Sequence, residues 1–118
     1  MATRAERLLE LSERSEQGWT VVTAKGRLDS VTVGRFTELC SAWIDAAGSN
    51  VVLDFSGLDY VSSAGLSSIL GAAKRVQARN GRLVVAGLKG LVKEVFAISG
   101  FETVLPTVPD VESAIRSA

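Results

Sequence analysis

The segment 51–70 constrains the fold of this 118-residue chain more than any other part of the sequence. It runs from an almost continuous apolar stretch, residues 51–55, into a turn that holds two adjacent serines, Ser62 and Ser63. A short apolar run of this kind is typical of a strand that is buried on both faces. The apolar residues after the serines recur at helical spacing, and they are Leu66, Ile69, Leu70, Ala73 and Val76. The segment therefore predicts a strand, a turn and a helix.

Residues before this segment predict a β-hairpin and a first helix. Two alternating stretches, 8–14 and 19–24, read as strands joined at residues 16–18. Gly26 interrupts the second pattern, and either Asp29 or Ser30 can cap the helix that follows. The apolar stripe of that helix consists of Phe36, Leu39, Cys40, Trp43, Ile44 and Ala47. Such a stripe indicates a helix that packs one face on a core.

The rest of the chain continues the alternation of strands and helices. The first helix is predicted to end at residues 48–50, and the helix after the serines at residues 80–81. The elements predicted after it are a strand at 82–86, a helix over 88–96 closed by Gly100, a short strand at 102–105 and a helix at 110–116. Strands that alternate with helices favour a parallel sheet. The sequence thus predicts one α/β domain over residues 1–118, with a mixed, mostly parallel sheet of about four to five strands and about four α-helices.

The composition excludes several classes of enzyme and partner. The chain has no histidine, which excludes serine–histidine–acid catalysis, and no glycine-rich phosphate-binding motif. Its single cysteine, Cys40, excludes an internal disulfide and a cysteine-rich zinc site, and its place on the apolar stripe indicates a core residue. Thirteen basic residues balance thirteen acidic ones, so no overall field attracts nucleic acid or an anionic membrane. We expect no cofactor and no enzymatic activity.

Two further features concern metals and localisation. Asp54 and Asp59 resemble a pair of acids, but a carboxylate cage for a metal usually needs more oxygen ligands, so we expect a strand end and a loop turn. The charged N-terminus lacks the apolar centre of a signal peptide, and no apolar stretch approaches the roughly 20 residues of a spanning helix. We therefore expect a cytoplasmic protein without a metal site.

Four segments, in their order and spacing, resemble the STAS domain, and within it the bacterial anti-sigma factor antagonists. They are Gly26-Arg27-Leu28-Asp29, Val52-Leu53-Asp54-Phe55, Tyr60-Val61-Ser62-Ser63-Ala64-Gly65-Leu66 and Ile98-Ser99-Gly100-Phe101. The resemblance covers nearly the whole chain and implies a STAS-like fold. In that family the serine that directly follows an aspartate in the third segment is the phosphoacceptor.

Aligning the third segment on Gly65 and Leu66 places Ser62 at the family's aspartate and Ser63 at its phosphoacceptor. The resemblance therefore implies phosphorylation at Ser63, with Ser62 as the alternative acceptor. It also implies a partner-binding surface that consists of Asp29, Ser62, Ser63, Ala64, Gly65 and Leu66. Independently of the family, a serine beside a helix start can act as its cap, and a phosphate there would lie beside free N–H groups.

By this resemblance the protein is an anti-sigma factor antagonist in a partner-switching pathway. The resemblance implies that the unphosphorylated protein binds a serine-kinase anti-sigma factor, the switch kinase, which then releases a sigma factor. Phosphorylation by that kinase would break the complex, and a metal-dependent serine phosphatase would restore the protein, so signalling and transcription are the implied processes.

Two alternatives remain open. The first is a STAS interaction or scaffold domain of a larger complex that never cycles, in which Ser62 and Ser63 serve only as caps. The second is a small hydrolase or ligand-binding protein, which the missing histidine and the absence of GxSxG around either serine disfavour.

Overall fold

Five strands form one sheet, in the order β1-β2-β3-β4-β5, in the computed structural model, which describes residues 1–47 and 50–116. The strands are β1 (Leu9–Glu16), β2 (Trp19–Leu28), β3 (Asn50–Val61), β4 (Arg82–Ala86) and β5 (Thr107–Val108). The α-helices are α1 (Arg4–Leu8), α2 (Val33–Ala47), α3 (Ser63–Gln77), α4 (Gly90–Ser99) and α5 (Val111–Arg116), and a 3₁₀ helix spans Phe101–Thr103. Within the described residues, no helix combines the length and apolar character needed to cross a membrane.

The sheet is mixed, as the sequence predicted. β1 and β2 are antiparallel, whereas β2, β3, β4 and β5 pair in parallel. Gln17 and Gly18 form the hairpin turn with φ angles of 48° and 84°. Two consecutive positive φ angles are the signature of a type I′ turn, whose twist matches that of the strands. The predicted hairpin and mostly parallel sheet are confirmed.

The strands β2 and β3 are longer than their apolar patterns suggest. We predicted that β2 ends near Gly26, yet it continues to Leu28, and β3 continues past the predicted residue 55 to Val61. Gly26 has a φ of 113°, and a Cβ there would collide with the Leu8 carbonyl oxygen. The glycine thus permits a close approach between β2 and the end of α1 rather than a break. As a result, β2 and β3 run together as far as the serines.

The last predicted strand is misplaced in the sequence analysis. Residues 102–105 do not form a strand, because the chain turns back on itself after Gly100, whose φ is 77°. The N–H groups of Thr103 and Val104 donate to the carbonyls of Gly100 and Phe101, each over 3.1 Å, and this closes the 3₁₀ helix. The chain pairs with β4 from Pro106 onward, where the Pro106 carbonyl accepts the Val85 N–H over 2.9 Å. The short strand therefore lies at Thr107–Val108.

A helix that the sequence analysis missed, α1, brings the described α-helices to five instead of about four. Thr3 and Glu6 form its capping box: the Glu6 N–H donates to the Thr3 hydroxyl, and the Thr3 N–H donates to the Glu6 carboxylate, both over 3.1 Å. The Thr-x-x-Glu spacing of a capping box was present in the sequence. The predicted first strand accordingly starts at Leu9.

The predicted helical stripes supply most helical residues of the core, although Leu39, Trp43, Leu66 and Leu70 are only partly buried. Helices α2, α3 and α4 contribute to the larger apolar cluster, with Phe36, Cys40, Ile44, Ile69, Val76, Val92 and Phe96 among its buried members. A smaller cluster on the other face includes Trp19 and Ala114 of α5. Burial raises the pKa of the Cys40 thiol to about 12, as expected of a core cysteine. The predicted end of α2 at residues 48–50 falls partly on Gly48 and Ser49, which lie outside the described residues.

Candidate functional site

The carboxyl ends of β2 and β3 lie side by side, and both lead directly into predicted site residues. Leu28 pairs with Val61, and the Ser62 N–H extends the pairing by donating to the Leu28 carbonyl over 2.9 Å. Asp29 follows Leu28, so the fold brings it to the same edge as the two serines. Ligands of parallel sheets are characteristically bound at the carboxyl ends of strands. We call this surface, formed by Asp29 and residues 62–66, the serine edge.

Ser62 is the N-cap of α3. Its backbone is extended, with φ −96° and ψ 175°, and its Oγ accepts a hydrogen bond from the Gly65 N–H over 3.2 Å. Its carbonyl accepts the Leu66 N–H over 2.9 Å, which begins the helical ladder. The side chain is half-buried. The Ser62 hydroxyl is therefore already engaged as the N-cap of α3.

Ser63 occupies the first helical position and differs from Ser62 in both exposure and bonding. Ser63 is exposed, as is the neighbouring Ala64, and Leu66 is half-buried. Within the described part of the chain, the Ser63 hydroxyl makes no hydrogen bond. The sequence left open which serine acts as the cap, and the structure assigns that role to Ser62. Of the two serines, Ser63 is the more exposed, and its hydroxyl is not engaged as a cap.

Gly65 lets the first turn of α3 pack directly on the ends of β2 and β3. It is buried, and a Cβ at this position would lie 2.8 Å from the Leu28 carbonyl oxygen and 2.9 Å from Val61 Cγ2. Any larger residue must push the helix away from the strands. The glycine thus fixes the height at which the two serines stand above the sheet edge.

Asp29 caps a helical turn that precedes α2, rather than α2 itself. Its Oδ1 accepts the N–H groups of Val31 over 3.0 Å and Thr32 over 3.3 Å. The α-helix starts at Val33, so the predicted cap of α2 at Asp29 or Ser30 is wrong by one turn. Thr32 is fully buried and holds this turn, because its hydroxyl donates to the Arg27 carbonyl over 2.8 Å and accepts the Asp29 N–H over 3.0 Å.

The second carboxylate oxygen of Asp29 is paired with Arg27. Arg27 Nε lies 3.3 Å from Asp29 Oδ2, and the Arg27 Cζ lies 4.4 Å from the centre of the Tyr60 ring. Burial acts to raise the pKa of Asp29, but the N–H groups of Val31 and Thr32 and the Arg27 guanidinium outweigh it and lower the pKa below its usual value. Asp29 is therefore an ionised carboxylate whose two oxygens are both hydrogen-bonded.

Arg27, Tyr60 and Thr32 had no role predicted from the sequence. Arg27 and Asp29 are two residues apart at the end of a strand, a spacing that puts side chains on the same side and could have indicated their pairing. Tyr60 could not be found in this way, because the register between β2 and β3 shifts between Gly26 and Arg27. Its position beside Arg27 depends on that irregularity.

A polar depression of about 670 Å³ lies away from the serine edge. Its lining residues are Glu10, Leu11, Ser12, Arg14, Thr23, Lys25, Asp54 and Ser56. Asp54 and Asp59 both lie within β3, so the predicted strand end and loop turn are wrong. Asp54 Oδ1 accepts from the N–H of Ser56 over 3.1 Å and from the Ser56 hydroxyl over 2.8 Å. No residue of the serine edge lines this depression.

The unequal roles of the two serines lead to a prediction about stability. Ser62→Ala should lower the free energy of unfolding by about 1 kcal/mol, because it removes the cap of α3. Ser63→Ala should change it by less than about 0.5 kcal/mol, as is usual for exposed positions. Urea denaturation of the two single variants measures both values. A larger loss for Ser63→Ala than for Ser62→Ala would contradict the assignment of the cap.

Comparison with known proteins places this chain in a family. The family model described as "STAS domain" matches residues 10–114. The chain belongs to the STAS domain family. BtrV of Bordetella bronchiseptica, provisionally named an anti-sigma factor antagonist, is 35% identical to this STAS domain over 106 residues, which cover 90% of this chain and 91% of BtrV.

Solved structures share the fold of this STAS domain. An anti-sigma factor antagonist from Mycobacterium paratuberculosis superposes with a TM-score of 0.84 at 18% identity, covering 99% of this chain and 97% of that one. The Bacillus cell fate determinant SpoIIAA in its phosphorylated form gives a TM-score of 0.69 at 22% identity, covering 93% of this chain and 99% of SpoIIAA. The STAS-like fold predicted from the sequence is confirmed.

Proposed function

We propose that this STAS domain is an anti-sigma factor antagonist that switches partners through phosphorylation of Ser63. In its unphosphorylated form it binds a serine-kinase anti-sigma factor through the serine edge, and phosphorylation by that kinase releases it. The name of BtrV, which matches nearly the whole chain, supports the function. The solved structure of SpoIIAA in its phosphorylated form supports phosphorylation as the means of control.

The observation that carries the proposal is the difference between the two serines. A kinase must bring the acceptor hydroxyl to the γ-phosphate of ATP, so the acceptor must be accessible. Ser63 is exposed at the first position of α3, whereas Ser62 is half-buried and its oxygen accepts the Gly65 N–H. Phosphorylation of Ser63 also leaves the cap of α3 in place. The geometry thus favours Ser63 over the alternative acceptor, Ser62.

The switch acts through charge and bulk at the serine edge. A phosphate adds about −1.5 to −2 charges at pH 7 to a hydroxyl that is neutral before modification. A partner that covers Ser63, Ala64 and Leu66 would then have to desolvate this group or pair it with cations. The domain need not change shape for the complex to dissociate. On this proposal the domain is a substrate and a binding module, not an enzyme, and a metal-dependent serine phosphatase regenerates it.

Mapping of the phosphate tests the proposal. The domain captures its serine-kinase anti-sigma factor from a lysate without ATP; ATP is then added, and mass spectrometry locates the phosphate. We expect one phosphate at Ser63 and none after Ser63→Ala. Ser67→Ala is the matched control, because Ser67 is exposed one turn further along α3 and its loss should not affect uptake.

Each other outcome of this experiment would replace the proposal with a defined alternative. Phosphate at Ser62 would move the switch by one residue and show that the cap is accessible to the kinase. If neither serine accepted phosphate from a kinase that is active on other substrates, the result would support a STAS interaction domain that never cycles between phosphorylated and unphosphorylated forms. In that domain Ser62 would act only as the cap of α3.

A further inference from the structure

Arg27 is a cation held in place at the serine edge. Its Nε lies 3.3 Å from Asp29 Oδ2, and its guanidinium carbon lies 4.4 Å from the centre of the Tyr60 ring. The side chain remains 49% exposed, so the charge faces solvent as well as its two neighbours. An aromatic face on one side and a carboxylate at Nε restrict the directions in which the guanidinium can point.

Most of the hydrogen-bonding capacity of Arg27 is unused. A guanidinium has five N–H donors, and the structure shows a hydrogen bond from Nε alone. Within the described residues, Nη1 and Nη2 donate to no acceptor. Two terminal amino groups in a fixed plane match the oxygens of a phosphate, which an arginine binds in bidentate fashion. Arg27 can therefore bind a phosphate through Nη1 and Nη2 while Nε keeps its hydrogen bond to Asp29.

The strand register places Arg27 beside the strand end that leads to the phosphoacceptor. Arg27 pairs with Tyr60, and Leu28 pairs with Val61, after which the chain continues through Ser62 to Ser63. The guanidinium already reaches forward to Asp29, which shares the edge with Ser62. An arginine side chain and a phosphoserine side chain that start from adjacent strand ends can meet.

Lys25 on β2, Arg75 of α3 and Arg79 just after α3 are less well placed than Arg27. Lys25 pairs with Gly57 on β3 and therefore lies further from the edge. Arg75 and Arg79 form ion pairs with Asp45. Arg75 is twelve residues beyond Ser63 on the same helix, a separation of about 18 Å at 1.5 Å per residue. Of the two cations on β2, Lys25 and Arg27, it is Arg27 that lies nearer the acceptor loop.

We propose that Arg27 is the internal counter-ion of phosphorylated Ser63. The inference rests on the proposed function, because it requires phosphate at Ser63. Its Nη groups bind the phosphate while Nε stays with Asp29, so the modified side chain is held against the domain. Without this cation, the phosphate and the Asp29 carboxylate would repel each other across the edge. Arg27 is a positioning residue: it fixes the phosphate that the partner meets.

The second pKa of the phosphoserine reports this pairing. The domain is prepared with phosphoserine built in at position 63, which removes any need for the kinase, and ³¹P NMR follows the phosphate from pH 4 to pH 9. A guanidinium beside the phosphate favours the dianion and lowers its pKa. We expect the pKa to be about 0.5 to 1 unit lower in the otherwise unmodified domain than in Arg27→Gln. Added salt should narrow this difference.

Two variants separate pairing from net charge and from misfolding. Arg14→Gln is the matched control. Like Arg27, Arg14 is about half exposed, at 53%, and forms an ion pair, with Glu16 over 3.0 Å. It lies on β1 opposite Val21, near the start of β2, whereas the serine edge lies at the end of β2. The substitution should leave the phosphate pKa unchanged. Arg27→Lys keeps the positive charge but loses the two terminal amino groups of the guanidinium. The phosphate pKa in this variant should therefore lie between its values in the parent domain and in Arg27→Gln. Circular dichroism verifies that each variant is folded.

The results that overturn the pairing differ from those that overturn the proposed function. Equal phosphate pKa values in the parent and Arg27→Gln, or an equal shift in Arg14→Gln, would show that Arg27 does not bind the phosphate. Release of the anti-sigma factor could still depend on the phosphate. Conversely, a shifted pKa together with undiminished partner binding by the same phosphorylated protein would refute the switch and leave the Arg27 pairing in place.

Discussion

Phosphorylated at Ser63, the domain should bind its serine-kinase anti-sigma factor about 100-fold more weakly than the unmodified domain does. That factor corresponds to a loss of about 3 kcal/mol of binding free energy. It is a modest loss for a dianion that must be desolvated in an interface. The exposed hydroxyl of Ser63 and the small exposed side chain of Ala64 leave no bulk at this point before modification. The phosphate therefore changes both the shape and the charge of the surface.

Substitutions at position 63 should reproduce parts of this effect. Ser63→Ala should bind the anti-sigma factor as tightly as the unmodified domain, and should remain bound after ATP is added. Ser63→Asp and Ser63→Glu should weaken binding, but by less than the phosphate, because a carboxylate carries less charge. Calorimetric titration of the purified partners gives the dissociation constants. The alanine variant separates loss of the hydroxyl from gain of charge.

Ser67→Asp is the control for net charge. It adds the same charge one turn further along α3, on an exposed position outside the serine edge. We expect it to weaken binding by less than Ser63→Asp. If Ser63→Asp and the phosphorylated domain both bound as tightly as the unmodified domain, charge at position 63 could not be the switch. If Ser67→Asp weakened binding as much, the effect would come from the overall field instead.

The strand, turn and helix of residues 51–70 could be predicted because each has a local pattern. An apolar run and a helical stripe lie on either side of the serines, so the position of the turn follows from the sequence. The division of labour between Ser62 and Ser63 could not be predicted. The two are the same residue type at adjacent positions, and only the extended backbone of Ser62 makes it the cap. That conformation depends on where the helix docks.

Other parts of the site depend on contacts between segments that are distant in the sequence. Glycines at positions 26 and 57 interrupt the patterns of β2 and β3, so both strands appeared shorter than they are. In the fold, pairing of the two strands carries them past these residues. The contact of Arg27 with Tyr60 requires both the pairing and its irregular register. A glycine inside a strand, such as Gly26, can signal an irregularity, but it does not indicate which residue of the neighbouring strand the next side chain meets.

Gly65→Ala should lower the free energy of unfolding by about 2 kcal/mol, even though alanine is the better helix former. The added Cβ would lie 2.8 Å from the Leu28 carbonyl oxygen and 2.9 Å from Val61 Cγ2, both of which belong to strands of the central sheet. Neither can move freely, so the first turn of α3 must shift. That shift strains the bond from the Ser62 N–H to the Leu28 carbonyl, which joins the serine edge to β2.

Gly71→Ala supplies the matched control within the same helix. Gly71 is exposed, and a Cβ there would have nothing within 4 Å, so the substitution should raise the free energy of unfolding by up to about 1 kcal/mol. Urea denaturation gives both values, and hydrogen exchange at the Ser62 amide should accelerate in Gly65→Ala alone. Similar stabilisation by both substitutions would mean that α3 can move away from the strands at little cost. The opposite signs that we expect would show that steric contact with the strand ends, rather than helix propensity, sets the position of the two serines.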